Sequence, residues 1–343
     1  MKIAFITRLF PQDSFGGGQF YSYEMWKRLK RDHEVHLISG WENDPKLLPK
    51  GTYVIDQRRR SRIANYKRMR KGVKKYLNEI KPDVVVSTTL EIPVKYKTVF
   101  TIYHIGHWSG YYKDLFSRIQ RFFAKRKLKQ AEKLIAISKA TINDLKKIGI
   151  KKDVSLVYPG LDFKKLKVKK VKNKKFTIVY PSRISREKGQ DVLIKAVRNM
   201  DNVRVIIVGY VNDPGYLKEL KMMSKNVEFK TNVPDIVKYY QMADLIVFPT
   251  LVPEGFGFTA AEAMACGKAV VASDFPAVRE VVGKSGIIVK PGDYLEMRDA
   301  ILKLKNDNKL REKMGKEGAK SVRERFDWDK SYRIYKKVLE SVK

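Results

Sequence analysis

Two carboxylates give the strongest chemical signal in this chain. Glu254 and Glu262 are separated by seven residues in the segment PEGFGFTAAEAMACGKAVVA, which begins at Pro253. Eight helical steps would place them at most about 12 Å apart. The two carboxylates of a retaining glycosidase lie only about 5 to 5.5 Å apart. The spacing therefore disfavours two acids that share one bond and favours two contacts along one elongated polar ligand.

The residues around this pair indicate how each carboxylate would be used. Gly255 and Gly257 allow the backbone to approach a ligand, and they precede a helix start whose amides can bind an anion. Glu262 is enclosed by the small and apolar residues of AAEAMA, so we expect it to be partly buried and to need partners. One carboxylate could then hold a sugar and the other a ribose. The structural alternative is a loop acid followed by an acid on a helix surface.

Two cations follow a strand-like run earlier in the same half of the chain. Arg183 and Lys188 come after Phe176–Tyr180 and before a segment of helical periodicity. Ligands of open α/β sheets bind at the carboxyl ends of the strands. Arginine offers a planar fork and lysine a movable point charge, so the pair could neutralise a diphosphate. A solvated basic loop in a basic protein is the alternative.

The first half of the chain carries two weaker signals. Gly16, Gly17 and Gly18 precede a helix and could present N–H groups to an anion, but they do not form the GxGxxG fingerprint of dinucleotide-binding enzymes. His104 follows the strand Val99–Tyr103, where it could hold a sugar hydroxyl or move a proton. His107 lies three residues on, and no cysteine or acid stands close enough in sequence to suggest a metal site.

Short β-branched runs alternate with helical segments along nearly the whole sequence, which predicts parallel sheets covered by helices. Two such series are separated by the lysine-rich stretch Phe163–Lys175. We therefore expect one Rossmann-like domain over residues 1–165 and a second over residues 172–325. The amphipathic segment 328–343 needs a surface to cover, and the first domain is a candidate.

Composition limits the cellular compartments that are expected for this chain. The chain has 343 residues, one cysteine (Cys266) and a net charge of +35. A single cysteine cannot form an internal disulfide and is typical of a reducing cytoplasm, and we expect this thiol to be inert packing. We expect no transmembrane helix and no signal peptide, because no long apolar run occurs and the first strand begins at Lys2.

Most of the excess charge lies in three patches within the first 175 residues, at Arg58–Tyr76, Ser117–Lys133 and Lys164–Lys175. The first two have apolar residues at helical spacing beside the cations, which favours attachment to an anionic membrane surface. An ordinary amphipathic helix with a solvated basic face is the alternative. Nucleic acid is disfavoured, because no recognised nucleic-acid-binding module is visible.

Taken together, the motifs resemble the retaining glycosyltransferases of family 4, which have the GT-B fold of two Rossmann-like domains facing across a cleft. The resemblance spans nearly the whole chain. Its most specific part is the segment from Pro253 to Glu262. The other parts are Gly16–Gly18, His104, Ile137-Ser-Lys, Tyr158–Asp162, and Arg183 with Lys188-Gly189.

The resemblance implies a role for each matching residue. Arg183 and Lys188 would bind the donor diphosphate, Glu262 the ribose hydroxyls and Glu254 the hydroxyls of the donor sugar. His104 would lie beside the reacting centre, and backbone at Asn232 and Val233 would meet the nucleobase. The remaining donor-binding residues would be Gly16, Gly17, Gly18, Gly255, Phe256, Gly257 and Phe258.

The implied reaction is hexose transfer with retention from a UDP-, GDP- or ADP-sugar to a glycan, lipid-linked or other hydroxyl acceptor. It would need neither a metal nor a further cofactor, because Arg183, Lys188 and helix N-termini can stabilise the leaving diphosphate. We expect the first domain to take the acceptor and the second to take the nucleotide sugar. We also expect a cytoplasmic enzyme, peripheral on the inner face of the membrane.

Two alternatives from other classes stay open. One is a nucleotide-sugar epimerase with the GT-B fold. The other is a non-catalytic basic protein that binds membrane or nucleic acid on a transferase scaffold. Because Arg183, Lys188, Glu254 and Glu262 are all present, the sequence argues against a degenerate site.

Overall fold

The computed structural model describes residues 1–8, 10, 16–41, 46, 48–56, 64–90, 96–103, 122–169, 171–224 and 226–342, and the backbone alone of residues 62, 63 and 115–121. The chain divides into two compact units. The first domain comprises Met1–Pro159 and Trp328–Lys343, and the second comprises Gly160–Asp327.

The described residues of the first domain form one parallel sheet with helices between its strands. The strands are β1 (Lys2–Thr7), β2 (Glu34–Trp41), β3 (Tyr53–Asp56), β4 (Val84–Ser87), β5 (Thr98–Ile102), β6 (Lys133–Ala136) and β7 (Val154–Leu156). The helices before residue 160 are α1 (Gly17–Asp32), α2 (Arg62–Ile80), α3 (Leu115–Gln130) and α4 (Lys139–Lys147). The strand order is β3-β2-β1-β4-β5-β6-β7, so the order reverses between β1 and β4.

The second domain repeats this plan with a smaller sheet. Its strands are β8 (Phe176–Pro181), β9 (Val203–Gly209), β10 (Val227–Thr231), β11 (Leu245–Phe248), β12 (Ala269–Ser273) and β13 (Gly286–Val289). Its helices are α5 (Gln190–Val197), α6 (Pro214–Met223), α7 (Val237–Met242), α8 (Phe258–Ala265), α9 (Pro276–Val282), α10 (Tyr294–Asn306) and α11 (Asn308–Arg325), with a 3₁₀ turn at Arg186–Lys188. The order β10-β9-β8-β11-β12-β13 reverses between β8 and β11.

The central strands form because they are apolar on both faces. Every residue of β4, β11 and β12 is buried. Parallel strands covered by helices on both sides have this composition. The two Rossmann-like sheets confirm the predicted fold class. Two strands were missed at the sequence level, β3 and β7; both are edge strands of three or four largely half-buried residues, whose pattern is too weak to recognise.

The last helix, α12 (Trp328–Glu340), belongs to the first domain. Its apolar side chains Trp328, Tyr332, Tyr335 and Leu339 are buried. Tyr335 shares a hydrogen bond of 2.9 Å with Thr101 at the end of the sheet. Tyr332 and Lys336 both donate to Asp32 at 2.8 Å, and these bonds lower the pKa of that carboxyl. The amphipathic pattern therefore covers the edge of α1 and the sheet.

Candidate active site

The predicted site residues of the second domain lie where its strand order reverses. The strands β8 and β11 are parallel, hydrogen-bonded neighbours. After β8 the chain crosses over to β9 on one side, and after β11 it crosses over to β12 on the other side. Such a reversal opens a crevice at the carboxyl ends of the strands, where open α/β sheets bind ligands. Arg183 and Lys188 lie in the loop after β8, which we call the cationic loop (182–189). Glu254 lies in the loop after β11, which we call the acidic loop (249–257).

The two loops are in close backbone contact. A side-chain Cβ added at Gly189 would lie 2.2 Å from the carbonyl oxygen of Pro249, and Gly189 has a left-handed φ of 68°. The N–H of Leu251 donates to the carbonyl of Glu187 at 2.9 Å. The buried hydroxyl of Tyr180 donates to the carbonyl of Lys188 at 2.7 Å. The backbone on both sides of the crevice is therefore held in place.

This contact brings the side chains of Lys188 and Glu254 together. Their Nζ and Oε1 atoms are 2.6 Å apart, and only 14% and 20% of the two side chains are exposed. The hydroxyl of Thr250, which is fully buried, lies 3.2 Å from the same oxygen of Glu254. The sequence predicted separate contacts for these two residues with a ligand. The structure adds that they form a mostly buried ion pair with each other.

Arg183 is held by its backbone and keeps a more open side chain. The side-chain amide of Gln190 donates to the Arg183 carbonyl at 2.6 Å. Behind the loop, a Cβ at Gly209 would lie 2.0 Å from the carbonyl oxygen of Ser182, so only glycine permits this approach. The guanidinium is 3.7 Å from the carboxylate of Glu187, and 39% of the Arg183 side chain is exposed. The guanidinium is therefore only loosely paired and can reach a ligand.

Glu262 has a different environment on helix α8. Its Oε2 accepts a hydrogen bond of 2.7 Å from the hydroxyl of Tyr240, which is buried on α7. Burial raises the pKa of Glu262 from 4.5 to about 7, and the Tyr240 hydrogen bond opposes this shift. Near neutral pH the carboxyl is therefore only partly ionised. The expectation of a partly buried acid with a polar partner matches this geometry.

Of the other predicted residues in and after the acidic loop, the glycines shape the backbone and the phenylalanines take part in packing. Gly257 precedes α8 with a φ of 102°, a conformation that L side chains rarely adopt. The Phe256 ring is buried and packs against Phe258 and Phe326, at centroid distances of 5.2 and 4.8 Å. These aromatic rings anchor the loop, so a ligand would meet the backbone of Gly255–Phe258 rather than the Phe256 ring.

Asn232 and Val233 follow β10, which lies two strands beyond β8 on the far side from β11. Asn232 is exposed and has a left-handed φ of 54°. Asparagine tolerates that conformation better than most residues. The structure therefore places an ordered turn at the carboxyl end of β10, on the same side of the sheet as the cationic loop.

In the first domain, the glycines lie at the other reversal point, after β1. Gly16 precedes α1, and Gly17 and Gly18 form its first turn. A Cβ at Gly18 would lie 2.8 Å from the Tyr103 ring, whose hydroxyl is 2.6 Å from the hydroxyl of Ser22. Close packing on Tyr103 therefore requires glycine at position 18. His104 and His107 lie outside the described residues.

Sequence reasoning missed the residues that position the site. Thr250, Tyr240, Gln190 and Tyr180 act on Glu254, Glu262, Arg183 and Lys188 respectively. Of these four, only Thr250 could have been recognised from the sequence, because its hydroxyl lies between an apolar strand and Glu254. Cys266 is buried, and burial raises the pKa of its thiol to about 12, as expected of inert packing. In the part of the chain that the structure describes, no three metal-binding side chains of His, Cys, Asp or Glu come together.

Comparison with known proteins shows which class of protein has this sequence pattern and fold. The sequence profile described as "Glycosyl transferases group 1" matches residues 162–321, and "Glycosyltransferase Family 4" matches residues 15–165. The crystal structure of HepE from Anabaena in complex with UDP and glucose superposes with a TM-score of 0.82 at 21% identity, covering 99% of this chain and 100% of that one. The two domains therefore have the GT-B fold of glycosyltransferases.

Relatives in sequence narrow the class to a family. The uncharacterized glycosyltransferase MJ1069 of Methanocaldococcus jannaschii is 30% identical over 263 residues, which is 69% of this chain and 67% of that protein. The phosphatidyl-myo-inositol mannosyltransferase of Mycobacterium leprae is 34% identical over 166 residues, which is 45% of this chain and 44% of that enzyme. The chain belongs to glycosyltransferase family 4.

The loop contact yields a first prediction. Replacing Gly189 by Ala should lower the free energy of unfolding by about 1 to 3 kcal/mol more than replacing Gly292 by Ala. Gly292 is the matched control, because it has a φ of 81° but its added Cβ would have no neighbour closer than 3.7 Å. Urea unfolding followed by circular dichroism measures both. Equal losses would show that the Gly189–Pro249 contact is not tight.

The half-buried carboxyl of Glu262 yields a second prediction. A raised folded-state pKa means that the folded protein binds more protons than the unfolded chain, so ionisation of Glu262 costs stability as pH rises from 4.5 to about 7. Glu262→Gln removes this cost. Its free energy of unfolding relative to wild type should therefore increase by roughly 1 to 3 kcal/mol between pH 5 and pH 8. The exposed Glu317→Gln is the control and should show no such change, and a pH-independent difference for Glu262→Gln would contradict the assignment.

Proposed function

We propose that this protein is a retaining glycosyltransferase that moves a hexose-type sugar from a nucleotide-diphosphate donor to a hydroxyl of a glycan or lipid-linked acceptor. One observation carries the proposal. Arg183 and Lys188 in the cationic loop and Glu254 in the acidic loop lie at the reversal point of the second sheet, where Lys188 and Glu254 are paired. A second carboxylate, the half-buried Glu262, lies on helix α8, which follows the acidic loop. This arrangement suits a ligand with a sugar, a diphosphate and a ribose in a row.

Each group then has a chemical task. The Arg183 fork and the Lys188 ammonium neutralise the diphosphate as the bond between the sugar and its phosphate oxygen breaks. Glu254 accepts hydrogen bonds from the sugar hydroxyls, and Glu262 accepts them from the ribose. The backbone of Gly255–Phe258 supports sugar and phosphate, while Asn232 and Val233 meet the base. For His104, which is outside the described residues, we propose the part in the reaction that the family resemblance implies.

Retention requires the acceptor oxygen to form its bond on the face that the diphosphate leaves. The departing phosphate oxygen takes the proton of the acceptor hydroxyl. The products are a glycoside and a nucleoside diphosphate, so atoms and charge balance without a covalent enzyme intermediate. Binding through Arg183 and Lys188 supplies the charge stabilisation that a metal ion provides in other transferases, and we propose that no metal is required.

Relatives support this donor class. HepE is described in complex with UDP-glucose as well as with UDP and glucose. A mannosyltransferase that acts on phosphatidyl-myo-inositol is among the sequence relatives. These descriptions are consistent with a nucleotide sugar on one side of the reaction and a lipid-linked acceptor on the other.

The third prediction tests the reaction. UDP-glucose, GDP-mannose and ADP-glucose should be compared by thermal shift with and without Mg²⁺, because a ligand of the folded state raises the melting temperature. With the donor so identified, Glu262→Ala should abolish transfer, because the ribose loses its acceptor, while the exposed Glu317→Gln should transfer like wild type.

Near-normal turnover by Glu262→Ala would overturn the site assignment. NMR of the product gives the anomeric configuration, and inversion would refute retention. Conversion of the donor sugar into its epimer without an acceptor would favour the epimerase. Failure of all three donors to bind would favour a non-catalytic protein.

We also propose peripheral attachment to the anionic cytoplasmic face of a membrane. No helix of the described residues is long and apolar enough to cross a bilayer. Helices α2 and α3 contribute to one buried cluster, which includes Met69, Val73 and Leu77 of α2 and Leu128 of α3. They therefore cover the same face of the first sheet, although the chain from Ile80 to Leu115, with strands β4 and β5, lies between them.

The outer sides of these two helices form what we call the basic face. Its exposed cations include Lys67, Arg70, Lys71, Lys74 and Lys75 of α2 and Arg126 and Lys129 of α3. Glu79 is the one acid in the two helices. Residues 58–61 of the first basic patch lie outside the described part of the chain.

Two aromatic rings project from the basic face. Phe122 and Phe123 are 66% and 57% exposed, and their centroids are 5.6 Å apart. Exposed neighbouring rings cost solvation free energy unless a partner covers them. Basic residues around an apolar pair match an anionic lipid surface, where cations meet the headgroups and rings enter the interface.

The fourth prediction tests this surface by flotation with vesicles of phosphatidylglycerol and phosphatidylcholine. Wild type should float at low salt and detach at high salt, because each surface cation contributes roughly 1 kcal/mol. The double variant Phe122→Ser/Phe123→Ser should bind at least about tenfold more weakly. Met222→Ser, which removes a residue 72% exposed on α6, should bind like wild type. A wild-type protein that stays unbound, or that binds RNA but no vesicles, would refute attachment.

A further inference from the structure

Lys188 and Glu254 form an ion pair, although each is proposed to bind a different part of the ligand. Lys188 is the proposed partner of the diphosphate, and Glu254 is the proposed partner of the sugar. We propose that Glu254 competes with the diphosphate for Lys188, so that the site discriminates an intact nucleotide sugar from the nucleoside diphosphate product. This inference rests on the function proposed above.

The geometry makes the competition direct. The Lys188 ammonium is 2.6 Å from Glu254 Oε1, and both side chains are mostly buried. A charge-assisted contact of this length is among the stronger hydrogen bonds in proteins. A diphosphate that binds Lys188 brings at least two negative charges next to Glu254 and draws away the cation with which this carboxylate is paired. A mostly buried carboxylate left without full compensation is costly.

An intact nucleotide sugar supplies the compensation and the product does not. Sugar hydroxyls can donate to Glu254 after the Lys188 ammonium has turned toward the diphosphate. The Thr250 hydroxyl, 3.2 Å from Oε1, provides one neutral donor in either arrangement. A nucleoside diphosphate lacks the donor sugar and its hydroxyls. It must therefore compete with Glu254 for Lys188 without giving Glu254 a new hydrogen-bond donor.

The exchange is confined to side chains. The contacts of Gly189 with Pro249, of Leu251 with Glu187 and of Tyr180 with Lys188 fix the backbone of both loops. The two loops therefore cannot separate to break the pair. Lysine has a flexible four-carbon stem with three rotatable donors, so its ammonium can move between two acceptors.

The consequence for turnover concerns product release. Once the sugar has moved to the acceptor, Glu254 loses its hydroxyl donors and recovers Lys188. The nucleoside diphosphate then loses part of its cationic site and leaves more readily. Release of product limits many enzymes, so this pair would contribute to turnover after the chemical step.

The fifth prediction is that Glu254→Gln binds the product more tightly and the donor more weakly. Calorimetric titrations with UDP, GDP and ADP, and with UDP-glucose, GDP-mannose and ADP-glucose, give both affinities. For the nucleotide that wild type selects, the ratio of the two dissociation constants should shift at least about tenfold toward the nucleoside diphosphate. Inorganic pyrophosphate, which lacks base and sugar, should also bind Glu254→Gln more tightly.

The matched control is Glu187→Gln, which removes a carboxylate from the cationic loop next to Arg183 rather than Lys188. Loss of any negative charge near a diphosphate site strengthens anion binding generally. Glu187→Gln should therefore shift both affinities in the same direction and leave their ratio within about twofold. In a Lys188→Met background, Glu254→Gln should no longer strengthen product or pyrophosphate binding, because the contested cation is gone.

The outcomes separate the inference from the proposed function. If wild type binds none of the nucleotides, nucleotide sugars or pyrophosphate, the proposed function fails. If wild type binds them but Glu254→Gln weakens both ligands equally, or leaves the ratio as in Glu187→Gln, the exchange is wrong and the function stands. Circular dichroism of each variant confirms that the fold is retained.

Discussion

The contact between the cationic loop and the acidic loop is the constraint on which the candidate site depends. Because β8 and β11 are adjacent parallel strands, the chain segments that leave them begin only about 5 Å apart. Gly189 lets the first segment turn directly onto the carbonyl of Pro249, where any side chain would collide. Lys188 and Glu254 meet because this contact, with the hydrogen bond from Leu251 to Glu187, holds the two loops together.

Opposite charges at this contact make the crevice compatible with a folded domain. A lone ammonium or carboxylate that is mostly buried would destabilise the protein, whereas pairing offsets part of that desolvation cost. In our proposal the same compensation makes the site selective, because a ligand must replace what each partner already has. Arg183 differs, since its guanidinium stays more exposed and is only 3.7 Å from Glu187, at the outer limit of an ion pair. The proposed site thus divides attraction of an anion and recognition of a whole donor between two cations.

Charge in the first domain is organised in the opposite way. The basic face leaves most of its cations in water, where single charges cost little and act together over roughly a Debye length. Such a surface suits attraction to an extended anionic partner rather than recognition of one small molecule. The exposed pair Phe122 and Phe123 adds an apolar contact that charge alone does not supply. Glu262 differs from these exposed cations. Its burial is unfavourable for stability and, in our proposal, useful for holding a ribose.

The sequence alone determined the fold class and nearly all of the candidate donor residues. Apolar strands with both faces buried are visible as continuous β-branched runs, and a carboxylate among alanines is conspicuous because it needs a partner. The edge strands β3 and β7 escaped, because short half-buried strands have little pattern. Tertiary structure alone decided that Lys188 reaches Glu254, that Tyr240 is the partner of Glu262, and that α2 and α3 share one face. The first two pairings join residues 66 and 22 positions apart, and two strands lie between α2 and α3 in the chain. Only the order and direction of the strands bring these residues together.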